Sequence, residues 1–314
     1  MPRLLSALLA GTLILTASPL ASQGVDQPFS LEGSGQKFSR LQDAVNAIGE
    51  GTGTILVAPG TWRDCAVQTV GSVTYKAAEP GTAIFDRRVC EGKAALVLRG
   101  RDATIDGLIF QNMKVPEGNG AGIRIENGNL TVRNSTFRES EEGILSAPDP
   151  AGNILIDRST FSRLGRCDRG LSCSHSVYIG DYGALTIRKS RFEKGNGGHY
   201  VKSHAARIEV TDSTFDDVQG STTNYMIDLP VGASGLIARN LFVQGENKEN
   251  HSAFITVAPE GRQRDSSGLK IVDNDARIAP GINRTSAFVA NWTGDAVQIG
   301  ANKLGAGLTK LDER

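Results

Sequence analysis

Between residues 129 and 275 the chain repeats one short pattern of apolar and polar positions. NLTVRNSTF (Asn129 to Phe137), NILIDRSTF (Asn153 to Phe161), ALTIRKSRF (Ala184 to Phe192) and RIEVTDSTF (Arg207 to Phe215) each carry alternating aliphatics, then Ser, then Phe two residues later. GLIARNLF (Gly235 to Phe242) and GLKIVDND (Gly268 to Asp275) continue the series with Asn in the Ser position. The Ser/Asn column is Ser135, Ser159, Ser190, Ser213, Asn240 and Asn274, at spacings of 24, 31, 23, 27 and 34 residues. A short alternating strand that returns at such intervals is one coil of a solenoid whose loops vary in length. The period of two points Val132, Ile156, Ile187, Val210, Ile237 and Ile271 inward as one stacked file. Phe137, Phe161, Phe192, Phe215 and Phe242 form a second file. The β-branched residues and glycines exclude helical repeats, and the leucine-rich-repeat signature is missing.

A second strand follows in each coil: GIRIENG, GILSA, SVYIG, YVKSHA, MIDLP, FITVAP and FVANW. Its inward residues are Ile123, Ile144, Val177, Val201, Ile227, Ile255 and Val289. The residue after each points outward, giving the column Arg124, Leu145, Tyr178, Lys202, Asp228, Thr256, Ala290. Ahead of the coils, Phe38, Leu41, Val45 and Ile48 recur at helical spacing, and Gly49 and Gly51 stop that helix before the strand TILV. An amphipathic helix there covers the open apolar end of the first coil.

The cap helix, the V-x-P-G-T-W step (Val57 to Trp62) and the N-S-x-F coils resemble the right-handed parallel β-helix, or pectin-lyase-like, superfamily of pectate lyases and polygalacturonases. The resemblance covers nearly the whole chain after residue 22. It implies an all-β, single-stranded right-handed parallel β-helix with an N-terminal capping helix. The cap falls at about residues 36–64 and about eight coils fill 65–311, the last, around Ala296 to Leu311, fraying. The resemblance is specific for fold and unspecific for reaction, because many chemistries share these coils.

The outward column carries unremarkable residues in its outer coils and clusters titratable ones in the middle three, Tyr178, Lys202 and Asp228, which neighbouring coils set about 4.8 Å apart. His175 and His199, three residues before Tyr178 and Lys202, occupy equivalent places in adjacent coils and are expected to stack; His204 follows Lys202 by two. An extended face of this kind suits an extended polymer, and these six residues are the candidate catalytic set. Uronate β-elimination needs a base for the proton alpha to the sugar carboxylate and a cation to neutralise that carboxylate. Lys202 is the expected electrophile and His199 or Tyr178 the expected proton shuttle. Each member also has a plainer reading: a Lys202–Asp228 cross-strand ion pair, a surface tyrosine, a turn-bound His175, and His251 as a structural residue off the column.

Hydrolysis would need two flanking carboxyl groups. His175 and Lys202 resemble the Gly-His-Gly and Arg-x-Lys strands of the polygalacturonase branch, with Glu141 and Glu142 where that branch has an aspartate pair, but its first aspartate is absent. Glutamates before a turn glycine are otherwise ordinary surface residues. Asp216 and Asp217 are expected to face a loop. No acidic cluster for calcium emerges, so no cofactor or metal is expected and a calcium-independent elimination is favoured. The remaining readings are a polygalacturonase-like hydrolase and a non-catalytic polysaccharide-binding or envelope protein.

Composition adds the setting. The opening MPRLLSALLAGTLILTASPLAS reads as a secretory signal over residues 1–22, which predicts a periplasmic or secreted protein without membrane insertion. Cys65, Cys90, Cys167 and Cys173 read as two disulfides; four cysteines allow three connectivities, and proximity favours Cys65 with Cys90 and Cys167 with Cys173. The second would pin the basic loop Arg163 to Cys173, whose Arg166 and Arg169, with Arg124 and Glu142, are the candidate substrate-binding residues. With 34 cations and 34 anions there is no global field for nucleic acid or anionic lipid. The expected partner is a polysaccharide, acidic in kind, met by a monomer.

Overall fold

Three parallel sheets wind around one apolar core in the computed structural model, which describes residues 26–314. The proposed signal segment, residues 1–22, lies outside the described residues. The match to a right-handed parallel β-helix holds throughout, but each coil has three strands where the sequence pattern suggested two. In the coil that opens at Asn129 these are Asn129–Arg133, Thr136–Arg138 and Glu142–Ser146. The S-x-F step hid the middle strand, which is only three residues long. Ten such coils run from Thr52 to Glu313 rather than about eight. The solenoid thus begins inside the stretch assigned to the cap, and the last coil stays paired, with Leu308–Glu313 against Ser286–Asn291.

The Ser/Asn column is the corner between the first and second strands. The residue before it is left-handed in every case: Asn134, Arg158, Lys189, Asp212, Arg239 and Asp273 have φ between 47° and 57°. That conformation costs an L-residue about 1–2 kcal/mol. The corner is compensated by side chains that satisfy the buried amide one coil before. Ser159, Ser190 and Ser213 Oγ accept from Ser135, Ser159 and Ser190 N–H at 3.3, 3.2 and 3.1 Å. Asn240, Asn274 and Asn302 Oδ1 extend the ladder at 2.9, 3.0 and 2.9 Å.

The Phe file starts earlier than the repeat. Phe85 and Phe110 precede Phe137, and seven rings stack through Phe242 at centroid separations of 4.7 to 5.5 Å. The inward file from Ile123 to Val289 is in register coil by coil. The cap helix spans Leu41–Ile48 and buries Leu41, Ala44 and Val45 against the first coil. Phe38 sits instead in the strand Lys37–Phe38, paired with Phe29. Gly49, at φ 58°, ends the helix. Both proposed disulfides are present, Cys65–Cys90 and Cys167–Cys173.

Candidate active site

The third strand of each coil displays two outward columns, side by side. One is the predicted column, with Arg124, Leu145, Tyr178, Lys202, Asp228 and Thr256 paired in that order. The other lies two positions before the inward residue of each strand. It is alanine at Ala94 and Ala121, then Glu142, His175, His199 and Tyr225 in the middle coils, then alanine again at Ala253 and Ala287. His175 and His199 stack at 5.0 Å, as their equivalent positions predicted, and Tyr225 continues the stack at 5.6 Å. Tyr225, two before Ile227, holds the next place of the same register, a position marked in the sequence only by that count.

The columns floor a cleft of about 700 Å³, lined by Arg124, Glu142, His175, Tyr178, Lys202 and His204 among others. One wall is the loop ending at Ser172 and Cys173; another carries Gln263 and Arg264. Tyr178 Oη lies 3.4 Å from His204 Nε2. His199 and Asp228 sit behind this floor, His199 Nε2 3.4 Å from Asp228 Oδ2. Asp228 is buried: Thr256 Oγ1 donates to its Oδ1 at 2.7 Å and Lys202 Nζ stands 3.5 Å from Oδ2. Glu260 reaches Lys202 from a loop 58 residues onward, a contact with no signal in the sequence.

Burial and charge together set the protonation of the groups around the cleft. Desolvation pulls Lys202 down, but Asp228 and Glu260 outweigh it and hold its pKa above the usual lysine value, so it is a firm cation. Burial pushes Tyr178 up, keeping the phenol protonated. Burial likewise pushes the Glu142 carboxyl well above the usual range, against the opposing pull of the His175 amide and Arg124. Burial lowers His204 and, far more, His175, while burial and the Lys202 charge bring His199 down to about 3. Burial raises Asp228 against the pull of Lys202 and Thr256.

Two expected surface features are internal. Glu141 and Glu142 are both buried, not solvated. Glu141 accepts the amides of Val115 and Gly120, each at 2.9 Å, and Arg169. Glu142 Oε2 is buried without a hydrogen-bond partner. Arg166 is buried in its own loop, bonded to Asp168 and to the carbonyls of Gly118 and Ser172. Arg166 and Arg169 therefore shape the wall and anchor it. Arg124 does line the cleft, 3.5 Å from Glu126. Asp217 does not face a loop: it is buried with Lys248 at 2.9 Å, Tyr200 and Thr223. His251 is exposed off the strip. Cys167, Cys173 and Glu249 converge within 4.8 Å, but the two sulfurs are bonded to each other and offer a metal no thiolate.

The right handed beta helix region family matches residues 81–240, half of the chain, and the chain belongs to that family. No curated protein matches it. Among solved structures, ORF18 of Geobacillus virus E2 is similar, with a TM-score of 0.55 and 14% identity over 86% of this chain. The chain spans 55% of that relative's length, and the likeness concerns the fold alone. The two disulfides fit an oxidising, non-cytoplasmic compartment. Among the described residues no helix is long and apolar enough to cross a membrane.

Proposed function

We propose that the protein is an exported, periplasmic or secreted, enzyme that binds an acidic polysaccharide in this cleft and cleaves it by β-elimination without a metal. The observation that supports this reading is the 3.4 Å approach of Tyr178 Oη to His204 Nε2 beside the Lys202 ammonium. A neutral imidazole and a protonated phenol are the base and acid that elimination requires. Lys202 takes the substrate carboxylate and lowers the acidity barrier of the adjacent carbon. Because base and acid touch, both act on one face of the sugar, which makes the elimination syn. Arg124 and Arg264 add positive charge along the cleft, Arg264 held by Asp181.

Inverting or retaining hydrolysis needs a second carboxyl opposite Glu142. Asp181 is engaged by Arg264, Asp228 by Lys202 and Thr256, and Glu260 by Lys202, which leaves the exposed Glu117 on the cleft lining as the carboxyl hydrolysis would have to use; the adjoining His204 and Tyr178 favour elimination. The test is incubation with galacturonate, glucuronate and mannuronate polymers, following the ultraviolet absorbance of the unsaturated product. Rising absorbance supports elimination. New reducing ends without absorbance would establish hydrolysis. Binding without turnover, abolished by Lys202→Ala, would mark a binding module.

A further inference from the structure

Beyond the acid, base and cation, the cleft contains a group whose proton position is set by the backbone. His199 N–H donates to His175 Nδ1 at 2.9 Å. An amide can only donate, so Nδ1 must hold its lone pair and the proton of the imidazole is on Nε2. His175 is 7% exposed, stacked on His199 at 5.0 Å and on Tyr178 at 5.6 Å, and it lines the cleft. Protonating Nδ1 would strip a buried amide of its acceptor, at about 1–3 kcal/mol. The surroundings do not favour an imidazolium either. The facing groups are Glu142 on the preceding coil, whose carboxyl burial pushes well above its usual range, and His199, Lys202 and His204 on the following one, of which Lys202 is cationic.

We infer that His175 is a fixed hydrogen-bond donor, presenting Nε2–H to a carboxylate oxygen of the bound uronate beside the Lys202 ammonium. This rests on the elimination reading. His204 Nε2 takes the proton from the carbon alpha to the carboxylate, and the electron pair moves into the carboxyl group. Of the two oxygens that gain charge, one faces Lys202 and the other accepts from His175. The pair then returns to form the carbon–carbon double bond as the glycosidic carbon–oxygen bond breaks. The leaving oxygen takes the proton of Tyr178, and His204 restores it across their shared contact. One proton has moved from carbon to oxygen and no oxidant is consumed. His175 takes no proton in this sequence.

Nitrogen-15 NMR of the whole protein reads the tautomer without substrate. An unprotonated Nδ1, a protonated Nε2 and no titration between about pH 5 and about pH 8 are expected; ordinary histidine titrates in that range. A protonated Nδ1, or titration there, would overturn the assignment. His175→Ala should lower kcat/KM on uronate polymer about 100-fold, the usual loss for one oxyanion donor, through weaker binding of the carboxylate as well as a lower kcat, with the pH profile unaltered in shape. His175→Gln, which can accept from His199 N–H through Oε1 and donate through Nε2, should recover most of that loss. If His175→Ala removes the acidic limb of the profile, or Gln rescues nothing while folding normally, His175 is not the donor proposed. If the wild type turns over no uronate polymer, the elimination reading fails by itself. The donor is then judged on uronate oligosaccharide binding, which must weaken in His175→Ala and return in His175→Gln; binding equal in both variants overturns it.

Discussion

Lys202 and Asp228 face each other across adjacent coils, Nζ to Oδ2 3.5 Å, and Asp228 retains only 2% exposure. Asp228 thereby fixes where the ammonium stands while Lys202 compensates a carboxylate removed from water. Taking away one partner of a buried pair costs about 3–5 kcal/mol. Lys202→Ala should fall near the lower end, because Thr256 still donates to Asp228 at 2.7 Å. The double variant Lys202→Ala/Asp228→Asn should recover most of that stability and none of the uronate binding. Urea unfolding and calorimetric titration check the two halves separately; a double variant as unstable as the single one would show that the pair is not what Lys202 contributes.

Glu142 gives a pH dependence of one sign. Its folded pKa lies well above the ordinary value of 4.5, chiefly through burial. Between those two values the folded chain holds a proton that the unfolded chain has lost, so stability falls as pH rises, by about 1.4 kcal/mol per unit. Glu142→Gln removes the penalty. The variant should be more stable than the wild type at about pH 8 and nearly equal to it below about pH 4. Urea midpoints across that range test this, and parallel curves for both proteins would mean that Glu142 ionises normally.

The histidines give the opposite sign. His199 is brought down to about 3 by burial and the Lys202 charge, against an ordinary value of 6.5. As pH falls below about 6.5 the unfolded chain binds a proton that the folded chain refuses, and stability declines by about 1.4 kcal/mol per unit for this residue. His175 and His204 are shifted the same way by burial and add to the slope. His199→Asn should make the acid limb of the stability profile shallower by about one proton, measured as the pH dependence of unfolding free energy. An unchanged limb would contradict a neutral, buried His199.

The columns behind these predictions were legible because coil register is a local pattern: one inward aliphatic per strand fixes every outward neighbour. Tyr178 beside Lys202 beside Asp228 followed from counting, and so did the His175–His199 stack. Phe85 and Phe110 escaped because their strands, AIFD and IFQ, lack the Ser that marks later coils. What could not be read was whatever the loops cover. Glu141 and Glu142 look solvated in SEEGILS until Arg169 and the wall close over them, and the partners that tether Lys202 and Arg166 come from loops whose paths no periodicity records.

The two disulfides separate stability from function. Cys65–Cys90 closes a span of 25 residues and joins the first two coils at the capped end, and neither cysteine lines the cleft. Chain entropy assigns such a loop about 3–4 kcal/mol. Cys167–Cys173 closes only 6 residues, worth about 2 kcal/mol by the same relation, but its segment is a wall of the cleft. Cys65→Ala/Cys90→Ala should therefore lower the unfolding midpoint and leave uronate affinity intact. Cys167→Ala/Cys173→Ala should cost less stability and more affinity, since Ser172 and Cys173 lose their fixed place beside His175. Arg166 limits the damage by still bonding the Ser172 carbonyl at 3.0 Å, so adding Arg166→Ala should deepen the affinity loss. Paired melts and titrations on both variants decide the matter; equal affinity losses would place the cleft's wall elsewhere.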